Sequence, residues 1–199
     1  MTVSDVTPPI EDMPSWMVPP RLSGWEVDDL DQLPEDVRRH VELLDGALIV
    51  MLAQRSWHDR VIRRLADALE RIVLDASWTV ETQMTVELDS KSAPEPDVVV
   101  ASVPYAPDRT RFAPSEVVLA VEVVSDESQK RDREYKPFKY ARARIPHFWR
   151  VEDQNGLPVV HTYELDETTL QYVATGIHDG SLSVARPLDI RIDLATLVR

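Results

Sequence analysis

Apolar positions along the chain change period several times, and each change marks an element. Residues 41–53, VELLDGALIVMLA, place two apolar runs on either side of Asp45-Gly46, and an Asp-Gly pair in that setting predicts a tight β-hairpin. Glu42 falls on its first strand and residues 47–53 form the second. In 57–74, WHDRVIRRLADALERIVL, the residues Val61, Leu65, Ala68, Leu69 and Ile72 recur at helical spacing. That predicts an amphipathic helix with Arg60, Arg63, Arg64 and Arg71 on its wet side. From residue 78 the period becomes two, with Val80, Thr82, Met84, Val86 and Leu88 on one face of an expected strand over 78–88.

Two short runs are apolar almost throughout, PDVVVAS (96–102) and EVVLAVEVVS (116–125). Such runs suit central strands covered on both faces. Residues 130–144 are basic and helical in composition, and HFWRVE (147–152) reads as a further strand. PVVHTYEL and TLQYVATG predict a hairpin turning at Asp166-Glu167, followed by a short strand pair and a closing helical turn. Before the first hairpin, 26–39 has the pattern of one or two helical turns interrupted by Pro34, and 1–24 is a proline-rich arm without periodicity. The expected fold is α/β (α+β): a mixed central sheet flanked by helices, with an N-terminal β-hairpin and extra C-terminal strands. The division is an arm over 1–24 and one domain over 25–199.

Composition narrows the chemistry. With 199 residues and no cysteine, disulfides, thiolate nucleophiles and cysteine-based zinc sites are excluded, and any metal must rest on oxygen or imidazole ligands. The formal net charge is −13, of which residues 1–45 carry −8, whereas 130–144 carries 7 bases against 2 acids. A protein that coats nucleic acid by phosphate neutralisation is usually basic, so the sum argues against a non-specific DNA coat. It leaves room for a nuclease, whose metal site needs clustered carboxylates. The basic run is open to two readings, facing phosphates or neutralising nearby acids. No basic leader, apolar leader or membrane-spanning run stands out, which gives the expectation of a soluble cytoplasmic protein away from membranes.

Two acids sit where charge is expensive. Asp97 opens PDVVVA, and Glu122 lies inside VVLAVEVV. A carboxylate on a buried strand needs a partner, and a divalent cation is one. The alternative for Glu122 is an outward-facing edge position or an arginine across the sheet. The histidines lack zinc-site spacing, glycine is too scarce for a phosphate-cradling loop, and Ser125 and Ser128 lack the setting of a hydrolase nucleophile elbow.

The blocks VELLDGALIV, WHDRVIRRLADALE, EPDVVV, LAVEVVSDES and KRDREYKPFKYARARIPHFWRVE occur in order between about 28 and 195. Together they resemble a bacterial restriction endonuclease family of the PD-(D/E)XK nuclease superfamily. The resemblance implies a restriction-endonuclease-like core with a three- or four-stranded sheet and a metal site at one end. Asp97 matches the Asp of the PD element and Glu122 the acid of (D/E)XK, but the lysine position holds Val124. The resemblance offers Lys136 instead, within R-D-R-x-x-K-x-x-x-Y (Arg131, Asp132, Arg133, Lys136, Tyr140). A strand rises about 3.3 Å and a helix about 1.5 Å per residue, so a helix starting near Gln129 and doubling back brings Lys136 level with Glu122. Pro137 complicates that helix start.

Glu42 is a third candidate metal ligand, against the alternative of a strand-edge acid facing water. Asp45 is assigned to the turn, and His58 to capping or packing, with assistance near phosphate as its alternative. The implied function is a Mg2+-dependent (or Mn2+-dependent) DNA endonuclease acting as a homodimer. Asp97 and Glu122 would hold the ion, the Val123 carbonyl would add a ligand, and Lys136 would assist the attacking water. The alternative is a catalytically inactive nuclease-fold module that binds nucleic acid or protein. A third reading makes the acidic N-terminal arm a partner mimic.

Overall fold

The structure, a computed structural model, describes residues 14–38, 40–73 and 77–199. Most of the proline-rich arm and the last residue of the predicted 57–74 helix lie outside that range. Over residues 14–24, a 3-10 turn at Ser15–Met17 is followed by Arg21, which bonds to Asp29. The expected helical turns become α1 (Val27–Leu30) and α2 (Glu35–Arg38), separated at Pro34. The predicted hairpin is β1 (Val41–Leu44) and β2 (Ala47–Val50), with Asp45 and Gly46 both at positive φ in the turn. The helix that follows, α3, runs Ser56–Ile72.

The predicted 78–88 strand is divided into β3 (Thr79–Thr82) and β4 (Thr85–Val86). Gln83 takes φ +52 between them, which ends the alternation. As a result Val80 packs on one face of the main sheet while Val86 joins the core on the other. Next come β5 (Val98–Ala101), β6 (Arg111–Phe112), β7 (Val117–Val123), α4 (Lys136–Arg142), β8 (His147–Gln154), β9 (Leu157–Asp166) and β10 (Gln171–Asp179). The chain closes with β11 (Ser181–Val184), β12 (Ile190–Asp193) and a 3-10 turn, Leu194–Leu197.

Six strands form the main sheet in the order β10-β9-β8-β7-β5-β3, more than the three or four that the sequence resemblance implies. Within that sheet only β7 and β8 pair in parallel, and α4 is in the crossover between them; the other four pairings are antiparallel. Both faces are covered, as the apolar central strands require. Leu119, Val121 and Val123 of β7 pack toward α3, together with Leu65, Leu69 and the C-terminal Leu194 and Leu197. On the opposite face Val99 and Ala120 pack with Tyr140, Ile145 and Phe148. A third cluster, built on Trp25, Val27, Leu43 and Ala93, seats the β1–β2 hairpin. Backbone bonds Leu43 N–Ala93 O (3.3 Å) and Ala93 N–Leu43 O (2.7 Å) fix that hairpin beside the chain entering β5.

Pro137 explains the form of the α4 region. A proline inside a helix lacks a donor and clashes with the carbonyl four residues back. Here the helical start at Gln129 passes through one π-helical turn, Arg131–Tyr135, with the Lys136 N–H bonded to Arg131 O, before α4 begins. The wider turn accommodates the proline without ending the helix, and π turns of this kind recur at functional sites.

Candidate active site

Strand alternation decides which side Glu122 faces. Leu119, Val121 and Val123 point toward α3, so Glu122 points with Ala120 toward α4. The helical segment answers with Asp132, Lys136 and Tyr140 at successive intervals of four, all buried. Such a spacing lines one helical face. Lys136 Nζ donates to Glu122 Oε2 at 3.0 Å and to Glu42 Oε1 at 2.8 Å, and stands 3.7 Å from Asp132 Oδ1. Tyr140 Oη donates to Glu122 Oε1 at 2.5 Å. Glu42 reaches this point because β1 is pinned beside Ala93, and the Glu95 N–H donates to Glu42 Oε1 at 3.1 Å.

Asp97 lies one step beyond the Val98–Val121 pair, level with Glu122. Its Oδ2 accepts the Val123 N–H at 2.7 Å. His58 Nε2 donates to Val123 O at 2.7 Å and lies 3.6 Å from Asp97 Oδ2. His58 is therefore buried against the site, beyond the capping or packing role that the sequence suggests. It also engages the Val123 carbonyl that the sequence resemblance offers as a ligand.

The groups open onto a cleft of about 940 Å³ lined by Glu42, Glu95, Asp97, Glu122, Asp132 and Lys136, among others. Burial opposes the charge of Lys136, but Glu122, Glu42, Asp132 and Asp97 together hold its pKa well above the usual value. The ammonium is thus the form at neutral pH. Around it the acids exceed what a dry site holds ionised. Burial pushes Glu122 well above the ordinary carboxylate range, Asp132 up to about 6 and Glu95 up to about 7. The Tyr140 hydroxyl, buried beside Glu122, is likewise raised. For His58 burial works against protonation, but the hydrogen bond and charge of Asp97 outweigh it and raise the pKa.

Of the residues singled out in the sequence, Glu42, Glu122 and Lys136 are in direct contact, and Asp97 joins them through the Val123 backbone. Glu95 belongs to the same cleft, with Thr85 Oγ1 donating to its Oε1 at 3.0 Å; only its position two residues before Asp97 could have signalled it. Asp132 and Tyr140 stand in the quoted pattern, and their spacing from Lys136 is the mark of a shared face. Asp45 does more than turn the hairpin: its carboxylate accepts from Tyr135 Oη and Lys139 Nζ, tying the hairpin to the helical segment.

The basic run 130–144 is largely neutralised. Arg131 pairs with Glu127 at 2.7 Å, Arg133 with Glu152 at 2.5 Å, Lys139 with Asp45 and Asp89, and Arg144 with Glu167 at 3.8 Å. By contrast Arg60, Arg63 and Arg71 of α3 are exposed and have no carboxylate partner among the described residues.

The mixed sheet, with helices on both faces and acids gathered at the end of β5 and β7, defines a restriction-endonuclease-like α+β protein. The chain belongs to the Uma2 family, described as "Putative restriction endonuclease", whose model matches residues 27–196. The fold is also that of a protein from Anabaena variabilis ATCC 29413, described as a putative nuclease belonging to DUF820 and solved as a crystal structure at 1.96 Å. The two chains are 14% identical, with a TM-score of 0.67 over 87% of this chain and 99% of that one. None of the curated proteins matches the sequence. Among the described residues no helix is long and apolar enough to cross a membrane.

Proposed function

We propose that the protein is a divalent-cation-dependent DNA endonuclease, with Asp97, Glu122 and Glu42 as the cation's protein ligands and Lys136 as the group that orients the attacking water. The observation that carries this reading is the meeting of Glu122, Glu42 and Lys136 at the end of the sheet, with Asp97 level with Glu122. The donors are carboxylate oxygens, which suit a hard ion such as Mg2+ or Mn2+. As they stand, no three Asp, Glu or His side chains among the described residues are arranged to hold an ion, and Glu42 and Glu122 each give an oxygen to the ammonium. The excess of acid over base in the cluster is the imbalance a divalent charge would correct. Loading therefore requires Glu42 or Glu122 to exchange Lys136 for the cation.

When bound, the ion would polarise the scissile phosphate and lower the pKa of water. The chain's own residues divide the remaining work. Asp97, held by the Val123 N–H, and Glu122, held by Tyr140, are fixed in orientation before any ligand arrives. Lys136 presents an ammonium that can hydrogen-bond the water oxygen and balance negative charge developing at phosphorus. As the water oxygen bonds to phosphorus and gives up a proton to solvent, the phosphorus–oxygen ester bond breaks and its oxygen leaves to take up a proton. The exposed arginines of α3, without an ion-pair partner among the described residues, offer phosphate contacts. A duplex cut on both strands calls for two such sites, hence a homodimer.

The second reading, a nuclease fold retained for binding, is favoured by the closure of Glu42 and Glu122 on Lys136. Incubation of supercoiled plasmid with Mg2+ or Mn2+ separates the two. Metal-dependent nicking that disappears in Glu122→Ala supports the endonuclease. Salt-sensitive DNA retention without nicking supports the binding module.

A further inference from the structure

Asp132 is a buried acid that the proposed chemistry does not use. It is 1% exposed and lines the cleft. Its two oxygens are in different situations. Oδ2 accepts the Ser128 hydroxyl, while Oδ1 is buried without a hydrogen-bond partner and is the one such carboxylate oxygen among the described residues. That unpaired oxygen stands 3.7 Å from Lys136 Nζ, just beyond hydrogen-bond length.

The carboxylate is oriented from the end of β7. Ser128 Oγ accepts the Ser125 N–H at 3.1 Å, Ser125 Oγ lies 3.0 Å from Ser128 Oγ, and the Ser128 N–H returns to Ser125 Oγ at 3.2 Å. With its acceptor capacity occupied in this turn, the Ser128 hydroxyl spends its own proton on Asp132. The π-helical turn then sets Asp132 and Lys136 on one face. A lysine ammonium has three protons; two go to Glu42 and Glu122, and the third has Asp132 Oδ1 as the remaining nearby acceptor.

We propose that Asp132 is a positioning residue for Lys136, its Oδ1 serving as the anchor that keeps the ammonium in the site when Glu42 and Glu122 are engaged elsewhere. The consequence for catalysis rests on the nuclease reading; the placement of the ammonium does not. On this account Asp132 differs from Asp97 and Glu122 in function. It acts on the lysine and is not needed to bind the cation.

The test uses Asp132→Asn, which keeps size and an acceptor for Ser128 but removes the charge facing Lys136, with Asp132→Glu as the charge-retaining control. Three quantities are measured on the full chain: hydrogen exchange of the Lys136 ammonium by 15N NMR in metal-free and in Mg2+-saturated protein, affinity for Mn2+ alone, and kcat and KM for plasmid nicking. Asp132→Asn is expected to speed ammonium exchange and to lower kcat about 10- to 100-fold, the usual cost of losing an outer partner of a site, with KM and Mn2+ affinity near wild type. Asp132→Glu should recover part of both losses. Unchanged exchange in Asp132→Asn overturns the proposal, as does a loss of Mn2+ affinity matching that of Asp97→Asn. If wild-type protein does not nick DNA, the nuclease reading fails, and ammonium exchange alone decides the role of Asp132. Should Asp132→Asn fail to fold, Ser128→Ala keeps the charge but frees the carboxylate to turn; it is expected to speed ammonium exchange by less than loss of the charge would, and unchanged exchange there overturns the proposal.

Discussion

The Lys136 ammonium lies 3.0 Å from Glu122 Oε2, joining a helix residue to a strand residue 14 positions earlier. In the PD-(D/E)XK pattern the lysine follows the acid on the same strand, two residues on, where this chain has Val124. Val124 is buried. On the proposed reading, the charge missing from the strand comes from the helix that packs across it.

Lys136→Met should therefore destabilise the fold as well as abolish activity. Removing one partner of a buried ion pair typically costs about 3–5 kcal/mol, because the remaining charge is stranded. Here burial holds the Glu122 carboxyl above the ordinary range, so it can take up a proton, and the loss should be smaller in mild acid than at neutral pH. Urea unfolding of the variant and wild type at two pH values measures this, and equal losses at both would contradict it.

Tyr140→Phe removes the hydroxyl that donates to Glu122 at 2.5 Å and leaves the ring against Phe148, with centroids 6.0 Å apart. Leaving a buried acceptor without its donor costs about 1–3 kcal/mol, and the variant should lose stability in that range while keeping its fold. Denaturant midpoints at unchanged slope would show it.

The pH dependence of stability follows from Glu95. Its carboxyl titrates near 7 in the folded chain, against an ordinary value of 4.5. Between those values the unfolded chain has released the proton and the folded chain keeps it, so stability falls as pH rises from about 4.5 to about 7 and then levels. Asp132, raised to about 6, adds to the same slope. Glu95→Gln should flatten the profile, by up to about 3 kcal/mol for a shift of this size. Unfolding measured in EDTA across that interval is the check.

DNA retention should depend on α3 and little on the paired run. Each phosphate that goes without its basic side chain reduces the slope of log affinity against log salt by about 0.9 for a duplex. Arg60→Ala with Arg63→Ala should reduce the slope by one to two such steps. Arg131→Ala with Arg133→Ala should change it less, since those side chains already face Glu127 and Glu152. Equal slopes in the two pairs would place the nucleic acid elsewhere.

Much of the architecture was legible because period and turn chemistry agreed. Asp45-Gly46 marked the first hairpin, the apolar runs marked β5 and β7, and the five ordered blocks marked the family. Gln83 was not legible, since nothing in alternation announces a positive φ in mid-strand. The π turn was also hidden: Pro137 signals a disturbed helix, but only packing against β7 shows that the helix widens instead of ending. At the site, Glu122 stood out as a charge inside an apolar strand. Glu95 and His58 did not, because an acid near a strand start and a histidine near a helix start have ordinary solvent-facing or capping roles. Their burial depends on where β1 and the end of β7 meet, which is a tertiary fact.

The most direct test is nicking of supercoiled plasmid with Mg2+ or Mn2+ by wild type, Glu122→Ala and Lys136→Ala, each checked for folding. Metal-dependent nicking by wild type that is lost in both variants is the expected result. Nicking that survives in Lys136→Ala would remove the lysine from the mechanism, and nicking that survives in Glu122→Ala would contradict the site itself.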